Sequence, residues 1–294
     1  MHRFRTTASL AVVLTLLAAT FLYAAPASLA SLPQLPAHSV FDGALPRETH
    51  PAVPLPSSFS LEWKFTGGTA LRYRITHTTR FESHTFIPPD TRRDIPAKQS
   101  VASMRIVLHG TSDGLASVDV TPDVAQQTTI SFNGYHDNGQ LDTPLLAYVL
   151  LTRTLFPVIQ SPLAIGGSVT VPLSLPVHYT DVSGAGHRTV LHGHMTVRLA
   201  GIVRIHDDPC ARLDGTIELS HFTQQPSSGL RVAFNNCGHS VAWFDLKQHC
   251  FVESTVAFLQ SQRIESAMGV TGPGSMQAVD SLFHAVLDNP PTGH

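Results

Sequence analysis

His192 and His194 stand two residues apart and are the side chains best spaced to share a metal ion. On a strand, residues two apart face the same side about 6–7 Å from each other, so both imidazoles could ligate one metal, with His187 or Asp207 as a third ligand. The alternative is an exposed polar strand, because His192 and His194 lie on the same strand face as Arg198, and the apolar residues of the segment lie on the opposite face. We favour the exposed strand and predict no metal site.

The three cysteines, Cys210, Cys237 and Cys250, lie in the last third of the chain. In an oxidising compartment they allow one disulfide with one thiol left over, and the sequence does not choose among the three pairings. A zinc site made of three thiols and a histidine is the competing interpretation, but the spacing contains no C-x-x-C pair. We therefore expect one disulfide.

The sequence offers no catalytic signature in its proper context. It contains no H-E-x-x-H zinc motif, no G-x-x-x-x-G-K phosphate loop and no G-x-G-x-x-G dinucleotide motif, and its one G-x-S-x-G match, at residues 110–114, falls in a predicted turn between two strands and not between a strand and a helix. No catalytic residue and no cofactor are predicted, and an unrecognised hydrolase stays open as an alternative function.

Composition excludes one class of partner. The chain has 294 residues with a formal net charge of -2, and only 14% of its residues are charged. A nucleic-acid surface needs a basic patch, which this sequence does not offer. The 17 histidines make the net charge responsive between about pH 5 and 7.

The N-terminus resembles a targeting segment. His2, Arg3 and Arg5 precede an apolar run over residues 10–23, and small residues follow it. Residues 1–30 are therefore predicted to be a secretory signal peptide, and the protein is expected to be exported to the periplasm or the extracellular space. An uncleaved N-terminal anchor is the alternative.

Residues 31–57 contain six prolines, which prevent helix and ladder formation. We expect an extended linker there, either a disordered leader or a spacer that holds the domain away from a membrane or partner, and we favour the leader.

Alternating apolar and polar residues predict strands over most of residues 58–270. The most regular hairpin covers residues 239–265, with a short polar link at 247–249 and a second strand too long for a small flat sheet. A first hairpin is predicted from a strand at 59–65, a turn at 66–69 and a strand at 71–75. A polar loop is expected at 87–98. The other predicted strands cover 101–111, 115–120, 126–132, 169–175, 189–204, 211–222 and 230–234.

Two segments break the strand pattern. Residues 144–154 begin with a proline and carry an apolar stripe, which predicts a helix that either plugs the sheet or serves as a lid that contacts lipid. Residues 276–287 have apolar positions at helical spacing and end before Pro290 and Pro291, so a C-terminal helix is predicted within residues 271–294.

These elements predict a mainly β protein: an antiparallel meandering sheet curled into a barrel or half-barrel, with one inserted helix and one C-terminal helix. A two-sheet sandwich is the competing architecture. Pro172 and Pro176 place the strand at 169–175 on a sheet edge, and Gly201 is expected at a bulge.

The order of segments resembles a family of secreted bacterial proteins of unknown function. The likeness rests on FSLEWKF-turn-LRYRI, LLTRTLFPVIQSPLAIGGSV, CARLDGTIEL and VAWFDL-turn-FVESTV, and it covers about residues 59–266. Such domains are similar to the curved half-barrels of LolA-like lipoprotein carriers and to lipocalin-like sheets, which implies an apolar cavity capped by helices. Relatives usually carry glycine at the turn where this chain has His249, a residue less tolerant of a left-handed backbone.

The leading functional hypothesis is an exported, non-catalytic protein that binds a hydrophobic small molecule, a lipid or an acyl chain in the curved sheet. Trp63 and Trp243 are both expected to pack in the core. The residues expected to line the cavity are Trp63, Tyr73, Ile75, Met104, Ile106, Leu108, Leu146 and Leu150. The alternative is a structural or interaction module of the cell envelope with a filled core, a protein partner and functional surface loops such as residues 87–98.

Overall fold

Alternation of apolar and polar residues recurs along most of the chain, and in a computed structural model it produces a mainly β protein. The structure describes residues 33–54, 59–87, 91–123, 128–140, 146–157, 159, 163–180, 185–225, 229–266 and 273–288, with the backbone alone at 146–150 and 220–225. The predicted signal peptide lies outside the described residues and stays a prediction.

The described part contains ten strands and one α-helix. The strands are β1 (Ala70–Ile87), β2 (Thr91–Gly110), β3 (Ala116–Pro122), β4 (Ile130–Tyr135), β5 (Ser168–Thr180), β6 (Gly186–Ile205), β7 (Asp208–Gln225), β8 (Leu230–Asp245), β9 (Cys250–Ser266) and β10 (Gly274–Leu287). Helix α1 (Leu146–Leu155) follows β4, and a single 3-10 turn occupies Asp42–Ala44.

All ten strands belong to one antiparallel sheet in the order β4-β3-β2-β1-β10-β9-β8-β7-β6-β5. The sheet is curled into a half-barrel, as the sequence predicted. Two meanders, β1 to β4 and β5 to β10, are joined where the first strand pairs with the last, from Tyr73↔Leu287 to Phe86↔Gly274. Strand β5 lies at one edge, where Pro172 and Pro176 were expected to place it.

Helix α1 confirms the predicted inserted helix and ends at Leu155, one residue beyond the predicted end, while residues 144–145 lie outside the described residues. Thr152, Thr154 and Leu155 are buried, and Phe156 follows directly with no exposed surface. The side chains of Leu146 and Leu150 lie outside the described side chains. None of the helices in the described ranges is both long and apolar enough to cross a membrane.

The predicted C-terminal helix is wrong, because residues 274–287 form strand β10 between β1 and β9. Its apolar residues do not alternate strictly, since positions on both faces are covered: Ala285 faces the main core, while Met276 and Ala278 pack in a second cluster with Leu35. A strand that is buried on both faces does not alternate apolar and polar residues along its sequence. The apolar positions of residues 276–287 therefore matched the spacing of a helix instead.

Two further expectations about the first hairpin are wrong. Residues 59–65 alternate in burial as predicted, with Leu61 and Trp63 buried, but they form no strand because the Trp63 and Lys64 amides donate to the carbonyls of Asp137 (2.7 Å) and His249 (3.3 Å). Residues 91–98 are not a loop, since β1 and β2 stay paired up to Ile87↔Thr91 and a bulge accommodates Pro96, while residues 88–90 lie outside the described residues.

Residues 33–54, here named the strap, are extended but neither disordered nor a free spacer. The strap crosses the convex face of β6 to β10, where the Val40 amide donates to Asp280 (3.0 Å) and the Val53 amide donates to the Ile202 carbonyl (3.0 Å). It covers a cluster that includes the buried Trp243, which thereby packs as predicted. Because proline has no amide hydrogen, the strap cannot form a continuous strand ladder. Its hydrogen-bond partners are instead side chains and backbone groups of strands that already belong to the sheet.

The hairpin of β8 and β9 confirms the most regular sequence pattern. Asp245 shapes its turn by accepting the amides of Lys247 (2.7 Å) and Gln248 (2.9 Å). His249 adopts a left-handed φ of 55°, so it takes the conformation for which glycine is usual. The register shift between Leu199 and Gly201 confirms the expected bulge.

The expected disulfide is wrong, because all three cysteines are free thiols. Cys210 and Cys250 both lie opposite Asp245, on β7 and β9, which flank β8. Two strand spacings amount to about 9.6 Å between Cα atoms, beyond the roughly 7 Å limit for a disulfide. Cys237 instead points at the strap, with its sulfur 3.2 Å from the Ala37 carbonyl oxygen.

Candidate functional site

The concave face of the sheet is filled with side chains at the end where β1 begins. Toward the other end it is partly exposed on β1, β2 and β10, while the inward-facing Val232, Phe234 and Ile264 of β8 and β9 stay buried. Strand register places inward-facing residues in cross-strand rows, such as Phe81–Val279–Gln260–Asn236 across β1, β10, β9 and β8. We name the filled part the closed end. We name the inward-facing positions from the row of His77 outward to Ile87 the open floor.

The closed end holds most of the predicted cavity residues. Trp63, Tyr73, Ile75, Ile106 and Leu108 are all at most 3% exposed, and Met104 is half-buried at the margin. Their packing partners are side chains of this chain.

An aromatic cluster accounts for this packing. The Trp63 ring lies 5.3 Å from Phe251, 5.8 Å from Phe156 and 5.7 Å from Tyr135 between ring centroids. The Tyr73 hydroxyl donates to the Phe251 carbonyl at 2.8 Å, and burial raises the pKa of this phenol well above its usual value. The buried phenol therefore stays protonated and acts as a structural donor.

His77 marks the change from the closed end to the open floor. Its ring stacks on Phe283 with centroids 4.0 Å apart, and its Nε2 lies 2.8 Å from the Thr79 hydroxyl and 3.2 Å from the Ser281 hydroxyl. Burial lowers the pKa of His77 from its ordinary value near 6.5 to about 4. The imidazole is therefore neutral at pH 7, and its Nε2 can form hydrogen bonds with both hydroxyls.

A Ser–His contact also occurs in hydrolases, where a third group orients the base. A carboxylate that oriented His77 would raise the pKa of its imidazole. The pKa of His77 is lowered instead, and burial is the cause. This cluster therefore supports hydrogen bonding on the floor better than activation of Ser281 as a nucleophile.

Side-chain amides continue the open floor. Gln262 donates to Gln277 at 2.9 Å across β9 and β10. Asn236 is 2% exposed and accepts the Ser261 amide at 3.1 Å, while its Nδ2 has no hydrogen-bond partner within the described part of the chain. A buried amide donor without a partner is costly, and a polar group of a ligand or a water would relieve it.

Apolar side chains on the open floor reach solvent. Ile87 and Ile95 are 47% and 40% exposed, and register places both on the same face as Phe81. Half-buried Val279 lies in the inward-facing row next to that of Ile95, opposite Phe81, and half-buried Phe283 lies two rows further on, opposite His77. Apolar surface gathered on a concave face is the usual composition of a ligand site.

Charge on the open floor is confined to its β2 side. Among the inward-facing positions of the described strands in this region, the charged residues are Lys98, opposite Phe81, and Arg93, opposite Thr85. The inward-facing positions of β8, β9 and β10 carry no Asp, Glu, Lys or Arg. The floor is thus neutral, with positive charge at one side.

The weak metal candidates lie on the other face. His192 and His194 are exposed on β6; His192 Nδ1 is 3.1 Å from the Ser174 hydroxyl, and His194 is 3.5 Å from Glu218. His187 faces the concave side and stacks on Tyr179 at 5.1 Å, so it cannot complete a site with them. The described residues contain no group of three side chains able to hold a metal ion.

The ligand-lining residues predicted from the sequence lie mostly in the closed end, and the inward-facing residues of the open floor were not among them. The signal for His77 and Phe81 was available, because they continue the parity of Tyr73 and Ile75 along β1. Ile95 was hidden, since its polar, proline-containing surroundings indicated a loop. Phe283 was assigned to a helix, whose faces do not follow strand parity.

No protein-family model matches the sequence, and no curated protein matches it.

Proposed function

We propose that this protein binds an apolar chain, such as the acyl chain of a lipid, on the open floor of its half-barrel and acts without catalysis. The observation that supports the proposal is a line of apolar side chains on the concave face: Ile87 and Ile95 are exposed, and Phe81, Val279 and Phe283, further along neighbouring strands, are half-buried. Exposed apolar residues scattered over a surface need no explanation, but these share one face of three neighbouring strands.

The closed end supports the same proposal by contrast. Its aromatic residues are already packed against each other, so a ligand would gain contacts only further out. The predicted N-terminal signal peptide leads us to place this function in the periplasm or outside the cell, where an apolar molecule needs a carrier or a receptor.

Native mass spectrometry of protein purified from its own envelope fraction tests the proposal. We expect a bound apolar species, and uptake of N-phenyl-1-naphthylamine with increased fluorescence. Phe283→Asp should abolish both, because it places an unpaired carboxylate on the neutral floor.

Leu282→Asp is the matched control, since residue 282 is the neighbour of 283 on β10 and faces the convex side. Circular dichroism checks that both variants fold. Dye uptake that is equally reduced in both variants, or absent from the parent protein, would overturn the proposal.

One observation favours a second function, an interaction module. Pairing of β2 with β3 ends at Met104↔Pro122, so residues 91–103 of β2 have no partner on their outer edge within the described ranges. Val101 on this edge is 66% exposed. An extended segment of an envelope protein could add here as a strand.

Cross-linking of the purified protein in envelope extracts, with a photoreactive residue at position 101, tests this second function. A specific adduct lost on Gln99→Pro would support strand addition, since the backbone groups of residues 99, 101 and 103 point to this edge and proline cannot donate to a partner strand. A photoreactive residue on the convex face of β6, at position 196, is the matched control.

A further inference from the structure

The charges of the open floor select the head group of its ligand, an inference that rests on the proposed function. Lys98 and Arg93 face the concave side on β2. The acidic residues of the same region, Asp94 and Glu82, lie on the convex side by register, where Asp94 accepts from Arg92 (2.8 Å) and lies 2.8 Å from His84. Among the described residues of this region, the charged side chains on the concave side are thus Lys98 and Arg93, and Lys98 is the one that lies in the row of Phe81.

The row structure places that charge next to the apolar strip. Lys98 is directly opposite Phe81, and Phe81 is directly opposite Val279, which continues to Gln260 and Asn236. Adjacent strands are about 4.8 Å apart, so the row from Lys98 to Asn236 spans about 19 Å in four steps. A chain lying on this row would have a cation at one end and a buried amide donor, Asn236 Nδ2, at the other.

The rest of the floor cannot hold a charged group. Between β1 and β8 the inward side chains offer hydroxyls, amides and the neutral imidazole of His77, with no counter-ion among the described residues. An ion placed there would lose its hydration without being paired, which costs several kcal/mol. A charged head group must therefore lie at the β2 side, and the charge available there is positive.

We propose that the ligand is an anionic amphiphile whose carboxylate or phosphate lies beside Lys98, with its apolar chain along the row of Phe81 and Val279. A carboxylate from a free fatty acid and a phosphate from a lysophospholipid share this chemistry. Lys98 is exposed, so it acts by attraction at the rim of the floor and not as part of a buried ion pair.

Four single-chain amphiphiles with the same twelve-carbon chain test the head group: laurate, dodecyl phosphate, monolaurin and dodecyltrimethylammonium. Their dissociation constants are measured by calorimetry below their micelle concentrations at low salt. We expect both anions to bind at least about threefold more tightly than monolaurin, the cation to bind most weakly, and the differences to shrink at 0.5 M salt. Comparison of laurate with dodecyl phosphate distinguishes the two sources of the anion.

Variants of β2 locate the head group. Lys98→Gln should weaken laurate binding by about two- to fivefold, as expected for one partly exposed ion pair, with monolaurin unchanged. Lys98→Glu should reverse the order, so that dodecyltrimethylammonium binds more tightly than laurate. Arg105→Gln is the matched control on the same strand, because residue 105 lies opposite Arg74 on the convex side, and it should change neither affinity.

The outcomes separate this inference from the proposed function. If all four amphiphiles bind with equal affinity, or if Lys98→Gln and Arg105→Gln have equal effects, the anionic head group is wrong and chain binding on the floor stands. If none of the four binds to the parent protein, the proposed function and this inference are both wrong.

Discussion

His77 is the residue at which the concave face changes from packed aromatic rings to hydroxyls and amides. Its imidazole stacks on Phe283 and lies within hydrogen-bond distance of Thr79 and Ser281, and it carries no charge at pH 7. A histidine that must be neutral in the folded protein couples stability to pH, since the unfolded chain binds a proton that the folded chain excludes.

The pH dependence of stability is the first prediction. Because the folded pKa of His77 is about 4 and the ordinary value is near 6.5, its contribution is fully present above pH 6.5 and is lost as the pH falls toward 4. The loss should reach at most about 3 kcal/mol. Urea denaturation of the parent protein and of His77→Gln between pH 4 and 7 measures it.

The difference between the two proteins isolates His77 from the other histidines. Glutamine keeps a polar group beside Ser281 without a titrating proton. If the two proteins lose stability equally as the pH falls, the burial of a neutral imidazole at residue 77 is disproved.

The thiols give the second prediction. Burial raises the pKa of Cys210 to about 12 and moves the pKa of Cys250 in the same direction, and both side chains are at most 1% exposed. Because thiolates are the reactive form, both should react with iodoacetamide far more slowly than the half-buried Cys237. Mass spectrometry of labelled protein counts the products.

The same experiment tests the absence of a disulfide. In denaturant without reductant, three thiols should be labelled. If two sulfurs stay unlabelled under these conditions, the protein contains the disulfide that its sequence predicted.

At the scale of elements, the strap and β10 depend on each other. Asp280 on β10 is 2% exposed, accepts the Val40 amide at 3.0 Å and the Ser39 hydroxyl, and lies 3.6 Å from Arg80. Burial raises the pKa of this carboxyl despite the nearby guanidinium. A buried acceptor that serves the backbone of the strap holds the two elements together more than its charge does.

Removal of that acceptor is the third prediction. Asp280→Ala should cost about 1–3 kcal/mol of unfolding free energy, because it removes the buried acceptor of the Val40 amide and the Ser39 hydroxyl. It should also speed labelling of Cys237, whose sulfur lies 3.2 Å from the strap at Ala37. Asp280→Asn retains an oxygen acceptor and should change both quantities little. Equal labelling rates in all three proteins would show that Asp280 does not hold the strap.

The elements also show what the sequence could specify. The hairpin of β8 and β9 was predictable because its turn chemistry is local, with Asp245 accepting two nearby amides. The strap and β10 were not, because each owes its conformation to the other: prolines conceal the strap's contacts, and the covered convex face removes alternation from β10. Partners about 240 residues apart leave no local pattern.

At the scale of the whole molecule, the pairing of β1 with β10 creates the concave face. Sequence parity alone predicted which residues of β1 face the core, but not which of them would be covered. Coverage of the closed end comes from residues 59–65 and from Phe156 after α1, neither of which is a strand of the sheet. The open floor is what these two segments leave uncovered, so its position depends on their docking.

The last prediction compares the two ends of the concave face. Phe156 has no exposed surface and packs on Tyr73 at 4.6 Å, Trp63 at 5.8 Å and Phe251 at 5.7 Å between ring centroids. Phe156→Ala should cost about 3–5 kcal/mol, because it leaves a cavity that the surrounding rings cannot fill. Phe283→Ala should cost roughly 1–2 kcal/mol, because the folded protein removes only part of the Phe283 ring from water.

Urea denaturation measures both losses, and an unchanged dependence of the free energy on urea shows that compactness is preserved. The same urea denaturation is then repeated with laurate at saturating concentration. Laurate should raise the unfolding free energy of the parent and of Phe156→Ala by the same amount, because residue 156 lies in the closed end, and stabilise Phe283→Ala less. Equal costs for the two variants would mean that the concave face is filled along its whole length, and the floor would then have no space for a ligand chain.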